Sequence, residues 1–308
     1  MVKKGYKQTE IGVIPEDWEV KPLKVVAPLQ RGFDLPYSSI KDGIYPVVFS
    51  NGIGAHHSSY MVKGPGVVMG RSGTIGKIHY VKSDYWPHNT TLWVTDFHNN
   101  DPLFASYLFK TIPWNLYNSG SGVPTLNRND VQDYLVAIPS PKEQAEIAAI
   151  LSDVDTLINS LKRQIVKKKA IKQGAMQELL TGKRRLPGFA GEWEKTVLGT
   201  VSSFYTGGTP SKKREDWWNG DIPWISSSDL TEDAITSVNI NRYISKDAVE
   251  HSATRICPKD AVLVVSRVGV GKVAVAPCEL CTSQDFTTIV PHRHNPHFLA
   301  YMLIPVMK

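Results

Sequence analysis

The stretch PKEQAEIAAILSDVDTLINSLKRQIVKKKAIKQGAMQELLT, residues 141–181, decides the fold of this chain. Its apolar residues recur at alternating steps of three and four, which is the pattern of a coiled-coil seam. The seam residues are Ile147, Leu151, Val154, Ile158, Leu161, Ile165, Ala175 and Leu179. Charged Lys168 and Lys172 occupy two further seam positions and interrupt the register. A helix of this length spans roughly 60 Å and cannot bury its own stripe. We therefore expect it to separate the segments on either side and to need a partner helix.

The net charge of +6 is concentrated on the second half of this helix and its exit. Residues 161–185 carry 9 basic side chains against 1 acidic, whereas residues 1–160 carry 14 against 15 and residues 186–308 carry 12 against 13. A solvated helix face followed by a linker and a strip facing a nucleic-acid backbone both fit this charge. The flanking segments have a net charge near zero. Any DNA that they bind must therefore be contacted by a few local basic and polar side chains.

Composition bounds the class of protein. A chain of 308 residues with 42% hydrophobic and 21% charged residues fits two globular domains. The start, MVKKGYKQTE, has no apolar run behind it, and no window approaches 18 apolar residues, so we expect neither a signal peptide nor a membrane span. Three cysteines, an odd number, predict a reducing compartment and hence the cytoplasm.

Upstream of the long helix, short β-forming runs alternate with turn residues. They predict strands at Val25–Leu29, Tyr45–Phe49, Gly66–Met69, Ile75–Val81, Thr91–Val94 and Tyr134–Pro139. Helical spacing follows a possible cap at Asp101 and ends at Thr111. Residues 118–127, NSGSGVPTLN, are a loop by composition.

Downstream of the long helix the same order of residues begins again. The matching pairs are Trp18 with Trp193, Leu23 with Leu198 and Gly32 with Gly207 at an offset of 175, Pro46 with Pro223 at 177, Arg71 with Arg267 and Asn89 with Asp285 at 196, and Asp101 with Asn295 at 194. The second copy carries about 19 additional residues between Pro223 and Val264. A shared framework with different polar loops suggests two modules that do the same kind of job on different targets.

The repeat also predicts how far the second copy should run. The first copy continues to Lys183, so the second should continue to about residue 377, some 69 residues past the last residue given. We expect the absent part to hold a second long helix, the natural partner of the first.

The turn Gly70–Lys77, GRSGTIGK, is the nearest match to a phosphate-binding loop. Its first glycine lies one residue further from the Gly-Lys pair than in a phosphate-binding loop, and Ile78 replaces the metal-binding Ser or Thr. The second copy keeps an Arg, a Gly and a Lys in Arg267–Lys272, so the shared content is a glycine turn that presents one Arg and one Lys. Such turns are common between strands. Arg is also the preferred reader of guanine edges and Lys a phosphate contact, so the pair suits DNA.

Other catalytic and metal patterns are incomplete. Asn295-Pro296-His297-Phe298 is one residue away from a motif of amino-methyltransferases, but the first copy has a helix start there and no glycine-rich loop accompanies it. Cys278 and Cys281, with Cys257 and nearby histidines, form a single CxxC pattern, and the first copy has no cysteine. We therefore expect no metal, and no nucleophile has an evident base.

Three tryptophans of the second copy lie near a basic loop. Trp217, Trp218 and Trp224 accompany Lys212-Lys213-Arg214, and stacking on bases is one role that suits tryptophans beside a basic loop. Packing in a core is the more frequent role of Trp, and we favour it.

These motifs together resemble the specificity subunit of Type I restriction-modification systems, over nearly the whole chain. The most specific part is Ile138-Pro-Ser-Pro141-x-Glu143-Gln144-x-x-Ile147 leading into the long helix. The other matching parts are Ile14-Pro-x-x-Trp18, Arg71-x-Gly-x-x-Gly76-Lys77, Gly120-Ser121-Gly122 with Leu126, Leu-Leu-Thr-Gly182-Lys-Arg at the helix end, and the second copy itself. The departure from the pattern is the early end of the second copy.

The resemblance implies a non-catalytic reader of double-stranded DNA with an α+β fold. Two mixed α/β target recognition domains would each read one half of a bipartite site, and the helix would hold them apart. Modification subunits would methylate adenine and restriction subunits would cleave, so S-adenosylmethionine, ATP and Mg²⁺ would belong to those partners. The DNA-binding residues transferred by the motif and the repeat are Arg71, Ser72, Lys77, Asn89, Arg267, Lys272 and Asp285.

We accordingly predict a target recognition domain at 1–140, a spacer helix at 141–183 and a second, incomplete domain at 184–308. The helix would contact a modification subunit or a second copy of this chain. The predicted interface residues are Leu151, Val154, Ile158, Leu161, Ile165 and Leu179. The alternative is a truncated remnant that binds the modification subunit without reading a full site.

Overall fold

The computed structural model describes residues 2–119, 122–232 and 234–307. The chain divides into two compact units, residues 1–163 and 164–308. Helix α4, Pro141–Leu179, crosses this division. The predicted boundaries at residues 140 and 183 stay predictions.

The first unit contains most of the short strands. Its strands are β1 Tyr6–Thr9, β2 Gly12–Pro15, β3 Glu19–Pro22, β4 Leu29–Arg31, β5 Tyr45–Phe49, β6 Gly52–His57, β7 Gly66–Gly70, β8 Ile78–Val81, β9 Trp86–Pro87, β10 Thr91–Val94 and β11 Leu135–Ile138. Its helices before α4 are α1 Leu23–Val26, α2 Pro102–Thr111 and α3 Arg128–Val131.

Two sheets form the body of the first unit. One has the strand order β4-β10-β7-β8, and all of its pairs are antiparallel. The other has the order β6-β5-β9, with β5 and β9 parallel. Because β4 and β7 both run antiparallel to β10, the carboxyl ends of β4 and β7 lie at one edge with the start of β10. This edge carries Arg31, Arg71 and the residues around Asn89.

The core of the first unit joins strand β7 to helix α2. Val67 and Met69 lie on the same face of β7 and pack with Phe104 and Phe109 of α2. Asp101 caps α2, because its carboxylate accepts a hydrogen bond of 2.7 Å from the backbone N–H of Phe104. The predicted helix and its cap are therefore confirmed.

The start of α4 is fixed to this core by polar contacts. The side chain of Gln144 is fully buried, where its oxygen accepts from the backbone N–H of Asp101 at 2.9 Å. Its amide donates to Asn100 Oδ1 at 2.9 Å and to the carbonyl of Pro139 at 3.0 Å. Trp18 Nε1 donates to Glu143 Oε1 at 3.3 Å. The Glu-Gln pair of the sequence motif therefore anchors the helix.

The second unit repeats this architecture. Its strands are β12 Ser202–Thr206, β13 Ile222–Ile225, β14 Tyr243–Ile244, β15 Ile256–Cys257, β16 Val262–Val265, β17 Val273–Val275, β18 Leu280–Thr282 and β19 Phe286–Pro291, and its short helices are α5 Leu198–Val201, α6 Lys246–Glu250 and α7 Pro296–Met307. The order β12-β19-β16-β17 reproduces β4-β10-β7-β8, and β13 and β18 are parallel as β5 and β9 are. The internal repeat predicted from the sequence is confirmed.

One predicted strand is wrong. Residues 23–26 form helix α1, and the strand begins only at Leu29. The physical reason is the spacing of Leu23 and Val26, which are both buried three residues apart while Val25 between them is 48% exposed. The other predicted strands are observed, although Ile75–Val81 shortens to β8. Gly120 and Ser121 of the predicted loop lie outside the described residues.

The described helices include none that is both long and apolar enough to cross a membrane.

Candidate nucleic-acid interface

The glycine turn of the first unit joins β7 to β8 and presents Arg71 at the sheet edge. The backbone N–H groups of Arg71 and Ser72 both donate to the carbonyl of Thr90, at 3.0 and 3.1 Å. The N–H of Leu126 donates to the carbonyl of Arg71 at 2.8 Å. These bonds fix the backbone on both sides of Arg71, so its position is set before any ligand binds.

A polar cavity of about 520 Å³ opens at this edge. Its lining consists of Gln30, Arg31, Gly32, Phe33, Asp34, Arg71, Leu92, Asn127 and Arg128. Three arginines therefore line one cavity with a single acidic residue. Arg31 pairs with Asp34 at 3.2 Å, whereas the guanidinium groups of Arg71 and Arg128 have no partner among the described residues.

Asn89 also belongs to this edge. Its side-chain amide donates to the carboxylate of Asp34, which thus receives hydrogen bonds from both Asn89 and Arg31. Burial is the main cause that lowers the pKa of the nearby His79 and His88 imidazoles, so both rings are neutral at neutral pH. The positive charge of this edge therefore rests on the arginines.

Lys77 ends the turn but does not reach the cavity lining. Its ammonium donates to the backbone carbonyl of Asn51 at 2.6 Å, in the segment that leaves β5. The first unit therefore brings Arg71, Ser72 and Asn89 to one edge and places the charge of Lys77 on the backbone between β5 and β6.

The corresponding turn of the second unit joins β16 to β17. Arg267 is exposed in this turn, and its guanidinium has no partner among the described residues. Lys272 donates to the carbonyl of Ser227 at 3.0 Å. Asp285 accepts a hydrogen bond of 3.1 Å from the hydroxyl of Ser283, which closes a local turn.

The hydrogen-bond register corrects one equivalence inferred from the sequence. Gly70 N donates to Lys77 O as Val265 N donates to Lys272 O, and Arg71 N donates to Thr90 O as Ser266 N donates to Asp285 O. The two copies are thus related by an offset of 195 here, not 196. The backbone position of Arg71 is that of Ser266 in the second unit, and Asn89 corresponds to Gln284.

A second pair of side chains supports this register. Asn89 bonds Asp34 in the first unit, and Gln284 is bonded by the hydroxyl of Thr209 in the second. In the first unit the bond joins the segment after β4 to the segment before β10. In the second unit it joins the segment after β12 to the segment before β19. The two units therefore preserve the link while changing both residues.

Gly32 and Gly207 show why the repeat retains glycine at this edge. A Cβ on Gly32 would lie 2.2 Å from the carbonyl oxygen of His88, and one on Gly207 would lie 2.2 Å from that of Ser283. Both distances are too short for any side chain, so the close approach of the two segments requires glycine.

The tryptophans of the second unit pack with one another and with polar side chains. Trp224 is buried and meets Trp218 edge-on at 4.9 Å between ring centroids. Trp217 Nε1 donates to Asp247 Oδ2 at 2.6 Å, and the Arg214 guanidinium lies 4.8 Å from the Trp217 ring centre. The favoured core role holds for Trp224, while Trp217 and Trp218 are half-buried.

Two cysteines of the second unit lie in strands, Cys257 in β15 and Cys281 in β18, and Cys278 lies between β17 and β18. Burial raises the pKa of Cys257 to about 11 and that of Cys281 to about 12, and the Cys257 thiol donates to the carbonyl of Leu280 at 2.9 Å. Within the described ranges, no group of three or more His, Cys, Asp or Glu side chains is arranged to hold a metal ion.

The predicted interface stripe of α4 is open to solvent. Leu151, Val154, Ile158, Leu161 and Ile165 are between 38% and 55% exposed, and Leu179 is half-buried. Within α4 the buried residues are Gln144 and Ala148, both near its start. The stripe thus carries apolar surface that the described part of the chain leaves uncovered.

The α4 stripe and the cavity both include residues that the sequence motifs do not indicate. Ile150, Leu157, Val166 and Ile171 are also exposed apolar residues of α4 and widen the stripe beyond a two-position seam. In the cavity, the sequence does not connect Arg31 and Arg128 with Arg71, because the three residues are far apart in the chain. A signal existed, since Arg31 precedes the repeated Gly32 and Arg128 follows the motif residue Leu126 by two positions.

Comparison with known families and proteins identifies similar chains. The family model described as Type I restriction modification DNA specificity domain matches residues 15–171 and 190–308. The EcoR124I/EcoR124II specificity subunit of Escherichia coli is 32% identical over 156 residues, which cover 49% of this chain and 37% of that subunit. The MjaIX specificity subunit of Methanocaldococcus jannaschii is 37% identical over 101 residues, 32% of this chain and 23% of that subunit.

Longer but more distant similarities cover nearly the whole chain. The putative MjaX specificity subunit of Methanocaldococcus jannaschii is 23% identical over 352 residues, covering 99% of this chain and 80% of that subunit. The S subunit of a Type I restriction-modification system from M. genitalium has a similar fold, with a TM-score of 0.66 and 14% identity over 94% of this chain and 76% of that one. The predicted fold class, two repeated mixed α/β modules joined by a long helix, is confirmed.

Proposed function

The chain belongs to the family of Type I restriction modification DNA specificity domains, and from this premise we propose that it is the DNA-reading subunit of such a system. Each module would read one part of a bipartite double-stranded site. The observation that carries the proposal in the first unit is the cavity lined by Arg71 and Arg128, whose guanidinium groups have no acidic partner among the described residues. Unpaired guanidinium groups at a sheet edge suit guanine edges and phosphates.

The residues proposed to face DNA follow from this placement. In the first unit they are Arg71, Ser72 and Asn89, joined by Arg128 from the cavity. In the second unit they are Arg267 and Asp285, whose side chains lie on the corresponding turn and on the segment before β19. The side chain of Asn89 is held by Asp34. We therefore assign Asn89 two roles, ordering this edge of the sheet and facing a groove of the DNA.

The chemistry would belong to partner subunits. We propose that modification subunits methylate adenine with S-adenosylmethionine and that restriction subunits use ATP and Mg²⁺, while this chain is non-catalytic. The exposed stripe of α4 would be covered by a modification subunit or by a helix from a second copy. A cytoplasmic location is part of the same proposal.

The alternative, a remnant that binds the modification subunit without reading a full site, is not favoured, because both copies match the family model.

Selection from a pool of randomised duplexes tests the proposal. The chain bound to its modification subunit should enrich a motif in two separate parts. A complex that forms, binds duplex DNA and enriches no motif would contradict sequence reading. A matched pool selected with the modification subunit alone supplies the background.

A further inference from the structure

In both units, a lysine that ends the glycine turn is tied to a backbone carbonyl in the segment that follows a strand of the neighbouring sheet. Lys77 Nζ lies 2.6 Å from Asn51 O, and Lys272 Nζ lies 3.0 Å from Ser227 O. Asn51 is two residues beyond the end of β5, and Ser227 is two residues beyond the end of β13. The same contact thus recurs in two modules whose loop sequences differ.

The same lysines also close the base of the turn through their backbone. The carbonyl of Lys77 accepts from Gly70 N, and that of Lys272 accepts from Val265 N, both at 3.0 Å. Each closed turn holds six residues, 71–76 in the first unit and 266–271 in the second. Equal length and equal closure make the turn part of the shared framework.

The contents of the two turns differ where the framework does not. The first reads RSGTIG and the second SRVGVG, so the arginine stands at the first position in one unit and at the second position in the other. Both arginines lack partners among the described residues. The two turns therefore share one backbone frame, and the position of the arginine within that frame differs between the units.

We propose that Lys77 and Lys272 are positioning residues that hold the arginine-bearing turns against the neighbouring sheet, and that they are not contacts to DNA phosphates. This inference rests on the proposed function, because it concerns how each turn meets DNA. A charge-assisted hydrogen bond to a carbonyl is a strong tether. A turn that is fixed before binding loses less conformational entropy when its arginine engages a base.

Hydrogen exchange of the free chain tests the tether without DNA. In Lys77→Met, the amides of residues 70–77 should exchange about tenfold faster, the change expected when one charge-assisted hydrogen bond is lost. Lys77→Arg keeps a cationic donor and should restore most of the protection. Lys82→Met is the matched control, because Lys82 is exposed beyond the far end of β8 and has no partner among the described residues. Unchanged exchange in Lys77→Met overturns the proposal.

The salt dependence of DNA binding separates positioning from phosphate contact. The slope of log affinity against log salt falls by about 0.9 for each phosphate contact that is lost. Lys77→Met should leave this slope unchanged and should lower, about tenfold, the ratio of affinities for a duplex selected by the wild-type complex and for a mixed-sequence duplex. A slope smaller by about one, with an unchanged ratio, overturns the proposal.

The second unit gives an independent repetition. Lys272→Met should speed exchange of residues 265–272, and Lys259→Met serves as its exposed control. If the wild-type complex reads no sequence, the proposed function fails. The exchange experiment still shows whether the lysine holds the turn in place, because it uses no DNA. Faster exchange with an unchanged affinity ratio on a selected duplex would overturn the positioning role alone.

Discussion

Arg71 and Arg128 share a cavity but differ in how firmly each is held. Arg71 is half-buried and fixed by backbone hydrogen bonds to Thr90 and Leu126, whereas Arg128 is exposed at the start of the short helix α3. A half-buried arginine on a fixed backbone suits the reading of a base edge, and an exposed one suits a phosphate. The two arginines therefore predict different mutant phenotypes.

Arg71→Ala should weaken binding to the selected duplex by about 10- to 100-fold and to a mixed-sequence duplex much less, because a bidentate base contact is worth about 1–3 kcal/mol. Arg128→Ala is the control in the same cavity and should weaken both duplexes alike, with a smaller salt slope. Fluorescence anisotropy titrations at several salt concentrations measure both quantities. Equal losses for Arg71→Ala on the two duplexes would reduce it to a phosphate contact.

The three thiols should differ in reactivity. The thiolate is the reactive form, and the raised pKa values of about 11 for Cys257 and about 12 for Cys281 keep both thiols protonated at pH 8. Cys278 is only half-buried. Iodoacetamide at pH 8 should therefore modify Cys278 first, and the other two should react at comparable rates only after unfolding. Peptide mapping that finds Cys257 modified as fast as Cys278 in the folded chain would refute the assignment.

At the scale of single elements, the start of α4 depends on Gln144. Its buried amide joins the residues before α2 and before α4 in one network, so Gln144→Leu would leave the N–H of Asp101 and the carbonyl of Pro139 without partners. Each buried group left unsatisfied costs about 1–3 kcal/mol. We expect faster amide exchange across residues 100–104 and 138–148.

Gln173→Leu is the control for this substitution, because Gln173 is exposed on the same helix. It should leave exchange in the first unit unchanged. If Gln144→Leu also leaves it unchanged, packing of Ile147 and Ala148 alone anchors the helix.

The exposed stripe of α4 predicts association. Burying its leucines and isoleucines against a partner helix gains roughly 25 cal/mol for each Å² of apolar surface removed from water. The chain should therefore dimerise in a concentration-dependent manner or depend on the modification subunit for solubility. A stable monomer at micromolar concentration that also fails to bind the modification subunit would contradict this expectation.

Charge introduced on the stripe should abolish that association. Ile158→Asp with Leu161→Asp places two carboxylates in the seam, whereas Thr156→Asp places one on the opposite side of the same helix turn. Analytical ultracentrifugation should show loss of association for the double variant and little change for the control. Similar loss in both would mean that helix stability, and not the seam, governs assembly.

At the scale of the whole molecule, the order of elements followed from the sequence because the repeat and the capping residues are both visible in the order of residues along the chain. Trp18, Asp101 and the Pro-x-Glu-Gln motif each make the contacts that fix the start of a helix. The cavity did not follow, because antiparallel pairing brings Arg31, Arg71 and Arg128 together from three distant segments. Nor did the offset of 195, since a slip of one residue in a turn changes hydrogen bonds without changing composition.

The roles of the two lysines needed the structure for a related reason. An Arg and a Lys at the ends of a glycine turn look alike in a sequence, and both suit DNA. Only the distances to Asn51 and Ser227 distinguish a charge used within the protein from one that is left for a ligand.

The methylation pattern of cells that carry this chain with its modification subunit tests the central claim most directly. Single-molecule sequencing of their DNA should show methylated adenine within one motif of two separate parts, and Arg71→Ala should alter or abolish one part. Cells with the modification subunit and a different specificity subunit show that the methylase is active. An active methylase that yields no new motif with this chain would contradict its role as a reader of DNA sequence.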